Sequence, residues 1–315
     1  MNIFKLSIKL ILQIFFVIIF FSTLSAKNLD KFNEGDYISD YFSGILLLND
    51  NQYNKSYKFL KKLDGLEESH LNYSSKYLFS LVNLGKFKEA FGYSRKLEKR
   101  KLNNFESDLI IGIYYLKNQK YDLAGKYFLK IKKNKSKFLI NDFISSSLFN
   151  WSSFINLDFE DAQKKIESID PKFENLKNIQ SVFLHCYYRD QNTELYFENL
   201  TSNEKIDFSR YNYFYASYLL RNNKQSKAKK IIDSALQKHP RNLLLNQLKQ
   251  DLEYSKLKNN FNCQNVSNVV AEILYIAANA LSSQKIYTHS NFYLNVSKYL
   301  NKEFYSFNTL LAENW

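Results

Sequence analysis

Glycine and proline are scarce in this chain, with seven Gly and two Pro among 315 residues. Folds built on β-sheets need many tight turns, and tight turns depend on these two residue types. Their scarcity argues against a sheet-rich fold and favours helices joined by short polar loops. Apolar residues make up 45% and charged residues 24% of the chain, which indicates a globular rather than a disordered protein.

Cysteine is also rare, because Cys186 and Cys263 are the only two. They are far apart in the sequence and fall in different predicted elements, and nothing in the chain resembles a disulfide framework. The sequence favours two buried thiols that do not pair. A bridge between them is the alternative.

Motifs for catalysis or metal binding are missing from the sequence. No two of the four histidines lie within a helical turn of each other, and no glycine-rich phosphate loop or G-x-S-x-G elbow occurs. His185 and Cys186 are adjacent, but neighbours on a helix point about 100° apart, which favours a core position for both. We therefore predict that the chain is not an enzyme and holds no metal and no cofactor.

One long apolar run stands out, at the N-terminus. Lys5 and Lys9 precede an apolar segment from Leu10 to Phe21, and Ala26 follows a short polar stretch. The run is too short to cross a bilayer as a helix, so this pattern predicts a signal peptide over residues 1–26 and an exported, periplasmic protein. If cleavage fails, the segment remains as a membrane anchor. No later run is long enough to predict a transmembrane span.

The net charge of +13 is carried mostly by lysine. It suits an anionic partner such as a polymer or a membrane surface. Specific recognition of phosphates and bases favours arginine, which is scarce, so no nucleic-acid partner is expected. The 17% aromatic residues fall largely at predicted core positions rather than on a basic groove.

A short pattern recurs along the chain, in which a small residue follows an aromatic residue by three positions. Ser56, Ala90 and Ala124 are spaced 34 residues apart, and Ala162, Ala228 and Ser290 continue the series. An apolar segment precedes each pattern and an amphipathic segment follows it, which predicts a hairpin of two helices. A small residue where two helices cross lets their axes approach closely.

This pattern is similar to the tetratricopeptide repeat, a helical hairpin of 34 residues. Residues at the family's small position 8 are Gly44, Gly112, Ala216 and Ala278; at its aromatic position 17, Tyr53, Phe87, Tyr121, Phe159 and Tyr287; at its small position 20, Ser56, Ala90, Ala124, Ala162, Ala228 and Ser290; at position 27, Ala235; and at its position 32 proline, Pro240. Leu78 and Asn150 depart from the small residue at position 8.

The resemblance implies an all-α fold, a right-handed superhelical solenoid of such hairpins. We expect about six hairpins over residues 27–240, one of them degenerate near 175–200. Residues 241–315 are expected to form an irregular helix, a further repeat and the start of another. That start, with Ala312 at position 8, predicts that the natural protein continues beyond Trp315, unless the final helix caps the array.

The family resemblance also implies a concave groove that binds a protein or peptide partner. The groove-facing candidates are Leu109, Ile113, Lys117, Tyr213, Ser217 and Arg221. Lys117 and Arg221 share one repeat position, which hints at a basic stripe for an acidic segment. We expect a non-catalytic scaffold of the bacterial envelope. The alternatives are an electrostatic binder of anionic polymer or membrane, and the interaction arm of a larger enzyme or transport assembly.

Overall fold

Helices make up most of the described chain. The structure, a computed structural model, describes residues 32, 35–134, 139–203, 206–254, 256, 260–303 and 306–314, so the expected signal peptide lies outside the described residues. Within those ranges there are sixteen α-helices and no strand, which confirms the all-α prediction.

The helices are α1 (Gly35–Asn49), α2 (Tyr53–Lys61), α3 (Leu71–Asn83), α4 (Phe87–Lys99), α5 (Phe105–Lys117), α6 (Tyr121–Lys133), α7 (Leu139–Ser153), α8 (Phe159–Glu167), α9 (Glu174–Tyr187), α10 (Thr193–Thr201), α11 (Ser209–Arg221), α12 (Gln225–Lys238), α13 (Leu243–Glu253), α14 (Val266–Ser283), α15 (Tyr287–Leu300) and α16 (Ser306–Glu313). Short 3₁₀ helices occupy Leu66–Glu68, Phe154–Asn156 and Pro171–Phe173. Each helix packs against the next along most of the chain.

Five hairpins share one turn geometry. The residue two places before the second helix is left-handed in each, at Asn51, Gly85, Gln119, Asn223 and Lys285. In each turn the next N–H reaches back five residues, as Gln52 does to the carbonyl of Leu47 at 2.8 Å. This bond ends the first helix and satisfies one of its free carbonyls. Glycine supplies the turn once only, so the other four rely on side chains that tolerate a positive φ.

The two helices of a hairpin cross at small residues. Ser56, Ala90, Ala124, Ala162, Ala228 and Ser290 are all fully buried. Ser56 Oγ donates to the carbonyl of Gly44 at 2.7 Å, and Ser290 Oγ donates to the carbonyl of Ala278 at 2.8 Å. The same contact thus joins the same two positions in the first and the last hairpin.

The last hairpin, α14–α15, turns back along the chain. We call it the C-terminal hairpin. Its main neighbours are not α12 and α13 but helices far earlier in the sequence, because α14 packs against α7 and α15 packs against α1, α3 and α5. The sequence pattern places this hairpin next in the array and does not predict that return.

A disulfide joins Cys186, near the end of α9, to Cys263, just before α14, with the two Cα atoms 5.9 Å apart. The preference for unpaired thiols was therefore wrong. The physical reason lies in the return of the C-terminal hairpin, which brings residue 263 back to α9. Export to an oxidising compartment would suit such a bridge.

Helix α14 is the one described helix that is long and apolar enough to cross a membrane. It is mostly buried inside the protein, as a core helix would be, and Glu272 in its middle is fully buried against Arg210. We therefore describe it as part of the core.

Candidate functional site

The first helices of the first four hairpins contribute to one surface. Helix α3 packs against both α1 and α5, and the C-terminal hairpin lies across α1, α3, α5 and α7. We call the side of these four helices that faces the C-terminal hairpin the inner surface. The family resemblance implies that first helices line a partner-binding groove, and three of the six predicted groove residues lie on α5.

The six residues predicted to face a groove are mostly covered. Leu109 and Ile113 on α5 are fully buried and belong to the main core. Lys117, at the end of α5, donates from Nζ to the carbonyl of Leu300 at 2.9 Å. Burial lowers the pKa of Lys117, and the nearby Lys302 acts in the same direction.

The other three predicted residues lie on α11. Tyr213 is buried, while Ser217 and Arg221 are half-buried. The guanidinium of Arg221 lies 3.9 Å from the Sγ of Cys263, and burial lowers its pKa. The predicted basic stripe of Lys117 and Arg221 is thus engaged within the chain, at two separate places.

Aromatic side chains hold the C-terminal hairpin against the inner surface. Phe87 stacks on Tyr299 with ring centroids 4.0 Å apart, and Phe79 contacts Phe292 at 4.6 Å. Phe79 also meets the ring of His289 edge-on at 4.9 Å. Burial lowers the pKa of His289, and Lys76 adds to the effect.

A buried network of amides closes one end of this contact. Asn291 on α15 is fully buried and donates to Asn51 Oδ1 at 3.1 Å and to the hydroxyl of Tyr53 at 2.7 Å. Asn314 donates to Asn291 Oδ1 at 2.7 Å and to Ser290 Oγ at 2.9 Å. Residues from both ends of the described chain therefore depend on one another for hydrogen bonds.

Further polar pairs continue along the same contact. Asn295 donates to Asn83 Oδ1 at 3.0 Å, and Tyr293 donates to Asn141 Oδ1 at 3.1 Å. The buried Nδ2 of Asn83 has no hydrogen-bond partner among the described residues. The contact thus combines aromatic rings with direct hydrogen bonds, and both features also occur in surfaces between two proteins.

An ion pair fixes α14 to α11. Arg210 Nε and Nη2 donate to the two carboxylate oxygens of Glu272 at 2.7 and 2.8 Å. The guanidinium also lies 3.9 Å from the centre of the Tyr275 ring and donates to Ser306 Oγ at 3.1 Å. Burial acts to lower the pKa of Arg210, but the Glu272 carboxylate outweighs it and raises that pKa.

A cavity of about 730 Å³ opens where α11, α13, α14 and α16 meet. Its size falls in the range of sites for small ligands or short segments. Its lining comprises Arg210, Tyr213, Asn242, Leu243, Leu244, Gln247, Leu248, Asp251, Asn260, Tyr275, Asn279, Ser306 and Thr309. Of the six groove residues predicted from the sequence, Tyr213 alone lines it.

The histidines and cysteines serve structural contacts. His185 Nδ1 lies 2.8 Å from Asp190 Oδ2, and its ring stacks on Tyr196 with centroids 3.6 Å apart. Cys186 is bonded to Cys263, so it has no free thiol to act as a nucleophile. Among the described residues, no three His, Cys, Asp or Glu side chains come together as metal ligands would.

No protein-family model and no curated protein matches this chain. The site must therefore be argued from its own residues. Sequence reasoning missed the cavity because its walls come from α11, α13, α14 and α16, which the repeat pattern does not place together. One signal was present: α13 follows Pro240 as a single helix without a second helix to form a hairpin.

Proposed function

We propose that this chain is an exported, non-catalytic scaffold of the tetratricopeptide type, a superhelical array that binds a segment of a partner protein in a concave site. The repeated 34-residue spacing, the shared turn and the small residues at the helix crossings support the repeat assignment. The N-terminal apolar run supports export to the periplasm, with a membrane anchor if the signal is retained.

One observation carries the proposal, namely that the inner surface already holds a helical hairpin. The chain's own α14–α15 lies against α1, α3, α5 and α7, and its contacts include the Phe79 ring and the side-chain amides of Asn83 and Asn141. A surface that holds one helical segment in this manner has the rigidity and the chemistry to bind proteins.

The partner's place is the cavity, because the C-terminal hairpin covers the inner surface. Leu243 on the cavity wall is 69% exposed, so an apolar anchor for a partner is present. A partner that covers this leucine removes its apolar surface from water, which favours binding in proportion to the area buried.

The test is a cross-linked pull-down with the tagged full-length chain from envelope extract of the producing cell, at about 50 and 500 mM salt. Wild type is compared with Leu243→Arg, which blocks the cavity wall with a long charged side chain. Leu195→Arg is the matched control, because Leu195 on α10 is 52% exposed and does not line the cavity.

A discrete protein that wild type and Leu195→Arg capture at both salt concentrations, and that Leu243→Arg does not, would support the proposal. Equal capture by all three chains would place the partner elsewhere and contradict it. The second candidate function is an electrostatic binder of anionic polymer or membrane, favoured by the net charge of +13. Capture of mixed polyanions at low salt only would support that candidate instead.

A further inference from the structure

We propose that the cavity binds a short basic peptide segment, in which a Lys or Arg side chain pairs with Asp251 while an apolar neighbour packs against Leu243, Leu244 and Leu248. This inference rests on the function proposed above, since it specifies the partner segment. It runs against the overall charge of the protein, which favours acidic partners.

Among the described residues, the cavity lining holds one acidic and one basic residue, Asp251 and Arg210, although the protein as a whole is basic. Arg210 is the one basic residue of the lining, and the carboxylate of Glu272 neutralises it through two hydrogen bonds. The carboxylate of Asp251 accepts a bond from Gln247 at 2.7 Å, and no basic side chain forms an ion pair with it in the described structure. Among the described residues, Asp251 therefore offers an entering cation a carboxylate that has no ion-pair partner.

Several side-chain amides line the cavity together with that carboxylate. The polar lining is contributed by Asn242, Gln247, Asn260, Asn279 and Thr309. An amide both donates and accepts, so it can satisfy the alternating N–H and C=O groups of a peptide backbone. Asn279 on α14 and Gln247 on α13 both line the cavity and are exposed, so both amides are accessible to an extended segment.

The apolar part of the cavity lies on α13. Leu243 and Leu244 stand at its start, and Leu248 follows one turn later on the same side as Asp251. Because α13 has no second helix, its wall is not covered as the other first helices are. The spacing of apolar and acidic positions suits a segment with one apolar residue next to one basic residue.

The aromatic rings of the cavity argue against a sugar as the occupant. A sugar ring would need an open aromatic face, but Arg210 covers the ring of Tyr275 at 3.9 Å, and Tyr213 is only 5% exposed. A peptide needs no such face, because its binding depends on backbone hydrogen bonds and side-chain pockets.

The test measures binding of two fluorescent, capped hexapeptide pools to the full-length chain by anisotropy. In both pools two positions are fixed as Leu. One position between these two leucines is Lys in one pool and Glu in the other. The variants are Asp251→Asn, which keeps the size of the side chain, and Leu243→Ser. Glu253→Gln is the matched control, since Glu253 is exposed on the same helix, loses the same charge and does not line the cavity.

We expect wild type to bind the Lys pool about tenfold more tightly than the Glu pool, the effect of one charge-assisted hydrogen bond. Asp251→Asn should abolish that preference, Glu253→Gln should retain it, and Leu243→Ser should weaken binding of both pools. A preference that survives Asp251→Asn, or that Glu253→Gln removes equally, overturns the inference.

Absence of saturable binding to either pool also overturns it. The proposed function has a separate test, because the pull-down with Leu243→Arg can succeed while the peptide pools show no charge preference. In that case the partner segment enters the cavity but is not basic.

Discussion

Two helical glycines should respond in opposite ways to alanine. A Cβ at Gly112 on α5 would lie 2.4, 2.8 and 3.0 Å from three ring carbons of Phe128, which is fully buried. Carbon atoms in contact are ordinarily about 3.5–4.0 Å apart, so the ring or the helix has to move. At Gly92 on α4 nothing lies within 4 Å of the added atom.

The magnitudes follow from these distances. Overpacking a buried site costs about 1–3 kcal/mol, and alanine regains up to about 1 kcal/mol over glycine within a helix. We expect Gly112→Ala to lower the free energy of unfolding by about 1–2 kcal/mol. Gly92→Ala lacks the clash, so it should raise that free energy by about 0.5–1 kcal/mol.

Urea unfolding followed by far-UV circular dichroism measures both changes, with the slope of the transition as a check that the same structure unfolds. If Gly112→Ala is as stable as Gly92→Ala, the two helices of this hairpin do not approach as closely as the contact between Gly112 and Phe128 requires. The reasoning about small residues at helix crossings would then be refuted.

Three further predictions concern the contacts of the C-terminal hairpin. The double variant Cys186→Ala/Cys263→Ala should lose roughly 4 kcal/mol of stability, because the unfolded chain regains the loop-closure entropy that the bridge removes. Reduction of wild type should have the same effect, and an unchanged urea midpoint after reduction would contradict this prediction. Asn291→Ala should lower the free energy of unfolding by about 2–3 kcal/mol and speed amide exchange in α15, because it leaves buried polar partners without hydrogen bonds. The control Asn308→Ala, at an exposed position, should change stability by less than about 0.5 kcal/mol. Equal effects of the two variants would count against the amide network. Burial raises the pKa of the Tyr53 hydroxyl from 10.0 to about 12, although the hydrogen bond from Asn291 acts to lower that pKa. The contribution of Tyr53 to stability is therefore complete below pH 10 and is lost as the pH rises to about 12. A thermal midpoint that stays level over that pH range would contradict this prediction.

Local features of this fold could be predicted from the sequence because they depend on neighbours. The small residues at 56, 90 and 124 identify the crossings, since a crossing involves only residues within one hairpin. The all-α class follows from the shortage of turn-forming residues and the helical spacing of apolar ones.

The return of the C-terminal hairpin could not be predicted in the same way. Asn291 and Asn295 look like solvent-facing residues, because an asparagine on a helix gives no sign of its partner far away in sequence. The pairing of Cys186 with Cys263 and the cavity both depend on that return. Lys117 shows the same limit, because its repeat position suggests an open groove while its ammonium group bonds to Leu300.

The amide network joins the beginning of the described chain to its end, and this has a consequence for folding. Asn51 bonds to the carbonyl of Asn314, 263 residues later, so the first hairpin cannot complete its contacts until the last residues are present. An open row of repeats can fold from any point, whereas contacts of such long range delay folding. Under the export proposed above, the segment that crosses a membrane first would stay incompletely folded until the remainder has followed it.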